Sequence, residues 1–350
     1  MIIRLIHNLL KLFLFRDKNN KSEILILSLH KLGDTIFTIP SIKLINSIYG
    51  TEKVKILCYP HSEVIYKKVL KNDIVTISMS EFALGGRIAH LSAIKKFRKI
   101  NPERIYDLTG NIKSASLLFF NTAKSVIGFN KNIYQSLYSE FKIRNNQIHL
   151  VHALLNIVDE KISAEQINKL VDVKLNKPHD GSILIHPFAG WSAKEWNINK
   201  FIVFALKLKT GLDKKIKFVF DSASGSEQFI EELKLKNIPF VVTNHIEELI
   251  NEIESCFMLI GNDSGPIYIA AMLGKPTFSI YGPTNPNFSL PFGKHHGFIQ
   301  KIIHCTPKKG EQYCYTSAGR DGCPSFECMN QLTVDEVYKN YKIHLSKLGI

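Results

Sequence analysis

The residues from Gly261 to Pro286 combine the groups that phosphate binding needs. A short apolar run ends at Gly261 and is followed by Asn-Asp-Ser-Gly-Pro, residues 262–266, and by an Ala-rich segment that closes on Gly274. This pattern predicts a buried parallel strand, a turn and a capped helix with proline near its first position. Backbone N–H groups at such a helix start attract anions. A second strand and a second turn, residues 282–286, follow directly, so we expect the two turns to wall one phosphate pocket.

A second turn of this kind lies near the start of the chain. The apolar run from Ile24 to Leu29 leads into His-Lys-Leu-Gly-Asp, residues 30–34, and then into an apolar segment that contains Pro40. Gly33 permits the close approach of a ligand to the backbone. Asp34 has two interpretations, because aspartate at the start of a helix is commonly a cap but also a group that can act in chemistry.

These motifs resemble those of glycosyltransferase family nine, the ADP-heptose heptosyltransferases of bacterial lipopolysaccharide assembly. That family has a strand, an Asp-Ser/Thr-Gly turn, a helix, Gly-x-Pro, a strand and Gly-Pro-Thr. Residues 261–286 contain all of these, with Tyr268 where the family usually has histidine. The early Gly-Asp pair, the Lys-x-Trp of residues 194–196 and the Ile-Gly-Phe of residues 127–129 also match. The resemblance covers roughly residues 22 to 348.

The resemblance implies roles for individual residues. Asp34 would be the general base, and Lys194 would neutralise the nucleotide diphosphate as a point charge, although a surface lysine beside a structural tryptophan is the competing explanation. Glu227 would contact the ribose, with a helix-capping carboxylate as its alternative. The candidate donor-binding residues are Gly33, Ala189, Gly190, Lys194, Glu227, Asp263, Ser264, Gly265 and Tyr268. Asn111 and Lys113 are candidate acceptor contacts, although a plain strand-to-helix loop explains them equally well.

The elements that must position these residues alternate between strand and helix along the chain. This alternation predicts an α/β protein with doubly wound sheets, and the polar segment DVKLNKPHDG, residues 172–181, separates two series of units. By resemblance the architecture is the GT-B fold, two Rossmann-like domains facing a cleft. We expect an amphipathic helix and hinge at 1–21, an acceptor domain at 22–172, a nucleotide-sugar domain at 182–330, and a final helix, 331–350, that packs back on the N-terminal domain.

Charge and composition restrict the partners. The formal net charge of +14 over 350 residues indicates attraction to phosphates, but the lysines are scattered and no nucleic-acid motif is present, so we expect no nucleic-acid partner. The segment MIIRLIHNLLKLFLFR, residues 1–16, is apolar over most of a helix surface but too short to span a bilayer, which takes ~20 apolar residues. Either it rests on the inner face of the cytoplasmic membrane, or it packs on protein.

Four cysteines, Cys305, Cys314, Cys323 and Cys328, fall within one irregular segment. They could bind a structural metal or pair as disulfides, but no two have the spacing of the usual zinc motifs, and free thiols are the favoured interpretation. No Asp-x-Asp metal motif is present. We therefore expect no required cofactor, with helix N-termini and lysine holding the leaving diphosphate.

The sequence therefore predicts an inverting glycosyltransferase, cytoplasmic and peripheral to the membrane, that moves a heptose from ADP-heptose to a lipid-linked glycan of the lipopolysaccharide core. Two alternatives stay open. One is a transferase of the same fold that uses another nucleotide sugar. The other is a non-catalytic nucleotide-binding paralogue, which Tyr268 would favour and which Asp34 and Lys194 oppose.

Overall fold

The computed structural model describes residues 24–176, 181–211, 214–314, 323 and 325–349. The expected N-terminal helix and hinge, residues 1–21, lie outside this range. The described chain forms two compact units. The first contains the chain up to Asn146 and Leu150–Val171, and the second contains Gln147–His149 and the chain from Asp172 onward.

The first unit is built on a parallel sheet of six strands in the order β3-β2-β1-β5-β6-β7. Its strands are β1 Ile24–Ser28, β2 Val54–Cys58, β3 Asp73–Thr76, the short β4 Ile88–Ala89 outside the sheet, β5 Arg104–Asp107, β6 Ser125–Gly128 and β7 Glu140–Phe141. Its helices are α1 Leu32–Tyr49, α2 Pro60–Val69, α3 Ala83–Gly86, α4 Leu91–Ile100, α5 Ile112–Leu118, α6 Leu150–Val158 and α7 Ala164–Val171. Every residue of β1 is buried, because β1 lies in the middle of the sheet and is apolar almost throughout.

The second unit repeats this topology, with strand order β10-β9-β8-β11-β12-β13. Its strands are β8 Ile183–His186, β9 Ile216–Asp221, β10 Phe240–Thr243, β11 Met258–Asn262, β12 Thr277–Tyr281 and β13 His296–Gln300. Its helices are α8 Ile198–Gly211, α9 Glu227–Leu235, α10 Ile246–Ser255, α11 Gly265–Met272, α12 Pro286–Ser289, α13 Glu327–Asn330 and α14 Val334–Lys347. None of the described helices has the length and apolar character that crossing a membrane requires.

The strand order locates a ligand-binding edge in each unit. In the first unit, β2 and β3 are added on one side of β1, and β5, β6 and β7 on the other. The second unit has the same reversal, between β8 and β11. In open α/β sheets, ligands bind outside the carboxyl ends of the strands at such a point. The segments that follow β1 and β5, and those that follow β8 and β11, are therefore where a site is expected.

The final helix, α14, belongs to the second unit, where it lies against α8 and β13. That residues 331–350 pack on the N-terminal domain stays a prediction. Val337, Tyr341 and Leu345 on its inner face join the apolar core of that unit. Its first turn is fixed by a capping box between Thr333 and Glu336. The apolar face of α14 is thus used within its own unit.

Candidate active site

In the second unit, the loop after β8 is tied to the end of β11. Gly261 pairs with His186, and a Cβ at Gly261 would lie 2.6 Å from the His186 carbonyl oxygen, so this close approach requires glycine. The Asn262 amide donates to the Pro187 carbonyl oxygen at 2.6 Å and accepts from the Trp196 backbone N–H at 3.0 Å. One buried side chain therefore joins both ends of the loop, residues 187–196, to the adjacent strand.

This loop brings Lys194 to Asp263. The Lys194 ammonium donates to the Asp263 carboxylate at 2.6 Å, and that carboxylate also accepts from the hydroxyls of Thr284, at 2.7 Å, and Tyr268. Asp263 is only 2% exposed, so nearly all of its solvation comes from these three donors. Lys194 also points to the Asp263 carbonyl oxygen at 3.4 Å, which leaves one of its three N–H groups for a ligand.

The network keeps Asp263 ionised. Burial alone would raise the pKa of the Asp263 carboxyl, but the charge of Lys194 and the hydrogen bonds from Lys194, Tyr268 and Thr284 outweigh burial and hold that pKa below its usual value. Burial and the neighbouring Asp263 charge raise the pKa of the Tyr268 phenol well above its usual value. Tyr268 is therefore a neutral donor to Asp263.

The helix start beside Asp263 has an unsatisfied polar group. Ser264 is the N-cap residue of α11, yet its side chain makes no capping hydrogen bond. The Ser264 hydroxyl oxygen is buried and has no hydrogen-bond partner in the described part of the chain. Gly265, the first residue of α11, is half-buried. An uncapped helix start with an unpartnered hydroxyl beside a lysine is suited to an anion such as phosphate.

Ala189 and Gly190 differ in their availability. The Ala189 backbone N–H already donates to the Glu195 carboxylate at 2.8 Å, whereas Gly190 is exposed with no atom within 4 Å of the position a Cβ would take. Burial raises the pKa of Glu195, and the Ala189 N–H opposes that shift. Sequence reasoning missed Glu195 because nothing in the pattern Lys-Glu-Trp predicts that the glutamate turns back onto its own loop.

Glu227 is the first residue of α9 and is exposed. It does not cap the helix, because Ser226 is the N-cap residue and accepts from the Phe229 backbone N–H at 3.3 Å. Asp221, which sequence reasoning passed over, ends β9 and accepts from the Ala223 and Ser224 backbone N–H groups at 3.0 Å each. The ribose contact of Glu227 stays a prediction.

In the first unit, Asp34 lies in the first turn of α1 as an exposed side chain. It is not the N-cap residue, because Lys31 occupies that position without a side-chain capping bond. Among the described residues, no donor is hydrogen-bonded to the Asp34 carboxylate. Gly33 precedes it, half-buried. The capping interpretation of Asp34 is therefore wrong, and its role as the general base stays a prediction.

His30 lies beside this carboxylate. Its Nε2 is 3.0 Å from the Leu108 carbonyl oxygen, and since a carbonyl can only accept, Nε2 carries the proton. Burial lowers the pKa of His30, and so does the charge of Arg144, while the Asp34 charge and the Leu108 hydrogen bond act against this shift. His30 is therefore held neutral near Asp34.

Asn111 and Lys113 flank the start of α5. The Asn111 side chain caps this helix by accepting from the Lys113 backbone N–H at 2.8 Å, so Asn111 has a structural role. The Lys113 ammonium donates to the Tyr59 hydroxyl at 2.9 Å and lies 5.2 Å from the centre of the Tyr59 ring. Burial and the nearby Lys31 charge lower the pKa of Lys113.

Asp107 forms a second buried carboxylate network that the sequence analysis did not predict. It ends β5 and accepts from the Tyr138 hydroxyl at 2.6 Å and from the Thr109 and Gly110 backbone N–H groups at 2.9 and 3.2 Å. The Thr109 hydroxyl in turn accepts from the Leu29 backbone N–H at 2.9 Å. These bonds join the ends of β1 and β5. The available signal was an aspartate directly before a Thr-Gly turn.

No disulfide joins any of the four clustered cysteines within the part of the chain that the structure describes. Burial raises the pKa of the Cys328 thiol to about 12, and the neighbouring thiols of Cys314, Cys305 and Cys323 add to that shift. Within the described ranges, no group of three His, Cys, Asp or Glu side chains is placed to hold a metal ion.

The structure thus brings Lys194, Asp263, Ser264 and Tyr268 together at one sheet edge of the second unit. It brings Asp34 and Lys113 to neighbouring strand ends of the first unit, since β1 and β5 are paired. Thr284 was not among the predicted site residues, although it donates a hydrogen bond to Asp263. It was recognised within Gly-Pro-Thr, but the sequence does not indicate that its hydroxyl reaches Asp263.

The model of the family described as glycosyltransferase family 9 (heptosyltransferase) matches residues 90–318, nearly two thirds of the chain. The chain belongs to glycosyltransferase family 9. Lipooligosaccharide heptosyltransferase 2 of Campylobacter jejuni is 22% identical over 332 residues, which cover 89% of this chain and 94% of that relative. The protein of the same name from Haemophilus influenzae is 31% identical over only 72 residues, 21% of each chain.

Solved structures are similar over the whole fold. Escherichia coli ADP-heptose lipopolysaccharide heptosyltransferase II has a TM-score of 0.72 at 15% identity, and the match covers 94% of this chain and 100% of that one. The predicted family and the predicted GT-B fold class, with two parallel-sheet α/β domains, are confirmed. Family membership makes this chain a glycosyltransferase.

Proposed function

We propose that this family 9 member transfers a heptose from ADP-heptose to a glycan acceptor of the lipopolysaccharide core, with inversion at the sugar. The names of its relatives support the sugar and the acceptor, and the E. coli neighbour is named for ADP-heptose. A different nucleotide sugar is the alternative donor, because base and sugar selectivity depend on pocket walls that differ at such low identity.

The donor side of the proposal rests on the start of α11. There the buried Ser264 hydroxyl, which has no hydrogen-bond partner among the described residues, lies beside the Lys194–Asp263 pair. A diphosphate would accept from Ser264, from the free N–H of Lys194 and from the α11 backbone. This is the observation that carries the proposal. Tyr268 acts through Asp263, which it holds in the orientation that positions Lys194.

The acceptor side of the proposal rests on Asp34. Its carboxylate is exposed and accepts no hydrogen bond from a described residue, so it can take the proton of an acceptor hydroxyl while that oxygen forms its bond to the anomeric carbon. The bond from that carbon to the diphosphate oxygen breaks, and the nucleotide diphosphate leaves from the opposite face. Lys113 is the candidate contact for the acceptor, and the side chain of Asn111 is occupied by its helix cap.

Calorimetry separates the donor proposal from its alternatives. ADP, GDP, UDP and their sugar conjugates are titrated into the wild-type protein, Lys194→Met and Ser264→Ala. We expect selective binding of the adenine nucleotides that weakens by tenfold or more in Lys194→Met. Selective binding of another base would replace the proposed donor, and no binding to any would refute the donor site.

Turnover tests the base. Asp34→Asn keeps the shape of the side chain but cannot accept the proton, so we expect the transfer rate to fall by about 10²–10⁴-fold while donor affinity stays unchanged. If transfer persists at the wild-type rate, Asp34 is not the base. A wild-type protein that binds the donor but transfers to no core acceptor would instead support the non-catalytic alternative.

We further propose that the enzyme works on the cytoplasmic side of the membrane, as a peripheral protein, because its acceptor is lipid-linked. The amphipathic segment, residues 1–16, is the predicted contact. Its deletion is expected to reduce sedimentation with anionic vesicles, and unchanged sedimentation would contradict that role for the segment.

A further inference from the structure

One segment of the first unit holds an unusual share of exposed apolar side chains. We call residues 79–91 the exposed hairpin. Met79, Leu84, Ile88 and Leu91 in this segment are 51%, 71%, 44% and 66% exposed. They are four of the fifteen large apolar side chains exposed in the described part of the chain, gathered within thirteen residues. Isolated exposed apolar residues need no explanation, but a cluster of this kind marks an interaction surface.

The base of the exposed hairpin is rigid. Phe82 and Ala89 face each other across an antiparallel bridge and are both buried, at 5% and 8% exposure. Glu81 completes a capping box with Ser78 and accepts from the Lys96 ammonium at 2.8 Å, and its carbonyl oxygen accepts from the backbone N–H of residue 90. Leu84 and Ile88, which lie between these two paired residues, are therefore exposed on a backbone that is closed at its base.

Leu84 occupies the tip in a left-handed conformation, with φ 50° and ψ 54°. This conformation is unfavourable for leucine, whereas glycine and asparagine adopt it readily. At 71% exposure, Leu84 gains little from burial in the described chain to offset that strain. Neither the backbone nor the core accounts for a leucine at this place.

The chain that follows Glu81 is basic. From residue 82 to residue 102 there is no acidic residue, and the basic residues there are Arg87, Lys95, Lys96, Arg98 and Lys99, of which Lys96 is paired with Glu81. Arg87 and Lys95 are exposed and make no ion pair with a described residue. Apolar side chains that project from a basic surface are complementary to a bilayer with anionic headgroups, where both parts of the surface are satisfied together.

The exposed hairpin adjoins the edge of the sheet where the acceptor is proposed to bind. The Met79 sulfur lies 3.5 Å from the Lys113 ammonium, and a Cβ at Gly86 would lie 4.0 Å from the Lys113 side chain. We propose that the exposed hairpin inserts its apolar side chains into an anionic membrane surface, so that a lipid-linked acceptor is presented beside Lys113. The presentation of the acceptor beside Lys113 rests on the proposed function. Membrane binding by the exposed hairpin does not, because it is measured without substrates.

Vesicle sedimentation of the full chain tests the proposal. The variant Leu84→Asn/Ile88→Thr/Leu91→Gln replaces three of the four exposed apolar side chains, and asparagine suits the left-handed position, so the fold should be retained. We expect partitioning onto phosphatidylcholine–phosphatidylglycerol vesicles to fall by about tenfold or more. Leu235→Asn, at an 82% exposed position of the second unit, is the matched control and should bind as the wild type does. High salt should weaken wild-type binding as well.

Hydrogen exchange of the wild-type chain gives a local measurement that other membrane-binding segments cannot mask. Amides of residues 79–91 should exchange more slowly when anionic vesicles are added and should be unaffected by phosphatidylcholine alone. Unchanged exchange in this segment would overturn the proposal. The proposal would also be overturned if the wild type were dimeric in solution and the triple variant monomeric, since the exposed hairpin would then be an interface between copies of this chain.

Discussion

Replacing Lys194 by methionine removes the charge that compensates the buried Asp263 carboxylate while it keeps the length of the side chain. The two groups are 2.6 Å apart, with side-chain exposures of 22% for Lys194 and 2% for Asp263. Breaking a buried pair from one side costs about 3–5 kcal/mol because it leaves an uncompensated charge. Since Lys194 is partly solvated, we expect a loss near the lower end, about 3 kcal/mol of unfolding free energy at pH 7.

The loss should depend on pH in a defined direction. In the folded wild type, the pKa of Asp263 lies below the value of about 4 that an aspartate has in the unfolded chain. The ionised carboxylate therefore contributes its full stabilisation above about pH 4, and this contribution is lost only as the pH falls through the pKa of the folded state. In Lys194→Met, burial is no longer outweighed, and we expect that pKa to lie above its usual value. Protonation of Asp263 then removes the uncompensated buried charge. The difference in unfolding free energy between the wild type and Lys194→Met should therefore be smaller at about pH 5 than at pH 7.

Tryptophan fluorescence during urea unfolding is a selective assay for this effect. The chain has two tryptophans, Trp191 and Trp196, and both lie in the second unit beside Lys194. Lys236→Met is the control, since the Lys236–Glu232 pair is solvent-exposed and 3.8 Å apart, and should change stability by less than about 1 kcal/mol. Equal stability of Lys194→Met and wild type at pH 7, or a loss that does not change at pH 5, would refute the account of a buried, charge-compensated aspartate.

Three further substitutions test other contacts. Tyr268→Phe removes one of three side-chain donors to Asp263, and the same fluorescence assay should report a loss of about 1–3 kcal/mol, with no loss if the bond is dispensable. Gly261→Ala places a methyl group 2.6 Å from a backbone oxygen of β8, so we expect about 1–3 kcal/mol of destabilisation by fluorescence and weaker donor binding. Tyr138→Phe takes a donor from the buried Asp107, and circular dichroism should show the first unit unfolding at lower urea while the tryptophan transition stays unchanged.

The sequence was most informative where local pattern and tertiary structure coincide. The runs that became β1 and β11 are short and apolar because both faces of a central parallel strand are covered, and the Gly-containing turn after β11 leads into α11 as predicted. After β1 the helix begins already at Leu32, so Gly33 and Asp34 lie in its first turn and not in a turn before it. Asp34 and Ser264 were therefore assigned correctly to the starts of helices. The capping interpretation of Asp34 is wrong, since the helix begins earlier, after Lys31, whereas its role as the general base stays a prediction.

The rest depended on contacts between distant segments. Asp263 meets Lys194 and Thr284, which lie 69 and 21 residues away, and Asp107 meets Tyr138, 31 residues away. No spacing rule relates such pairs, because loop lengths and strand order decide them. For the final helix too, the sequence does not show which residues join a core, and in the structure Val337, Tyr341 and Leu345 pack into the core of the second unit.

The double hydrogen bond made by Asn262 affects how selectivity can arise. Because this side chain holds both Pro187 and Trp196 before any substrate is present, the two ends of the loop have less conformational entropy to lose when a ligand binds. At the proposed donor site, this would leave more of the binding free energy for discrimination between donors. Gly190, exposed between the two anchored ends, is where the loop can still adapt its shape.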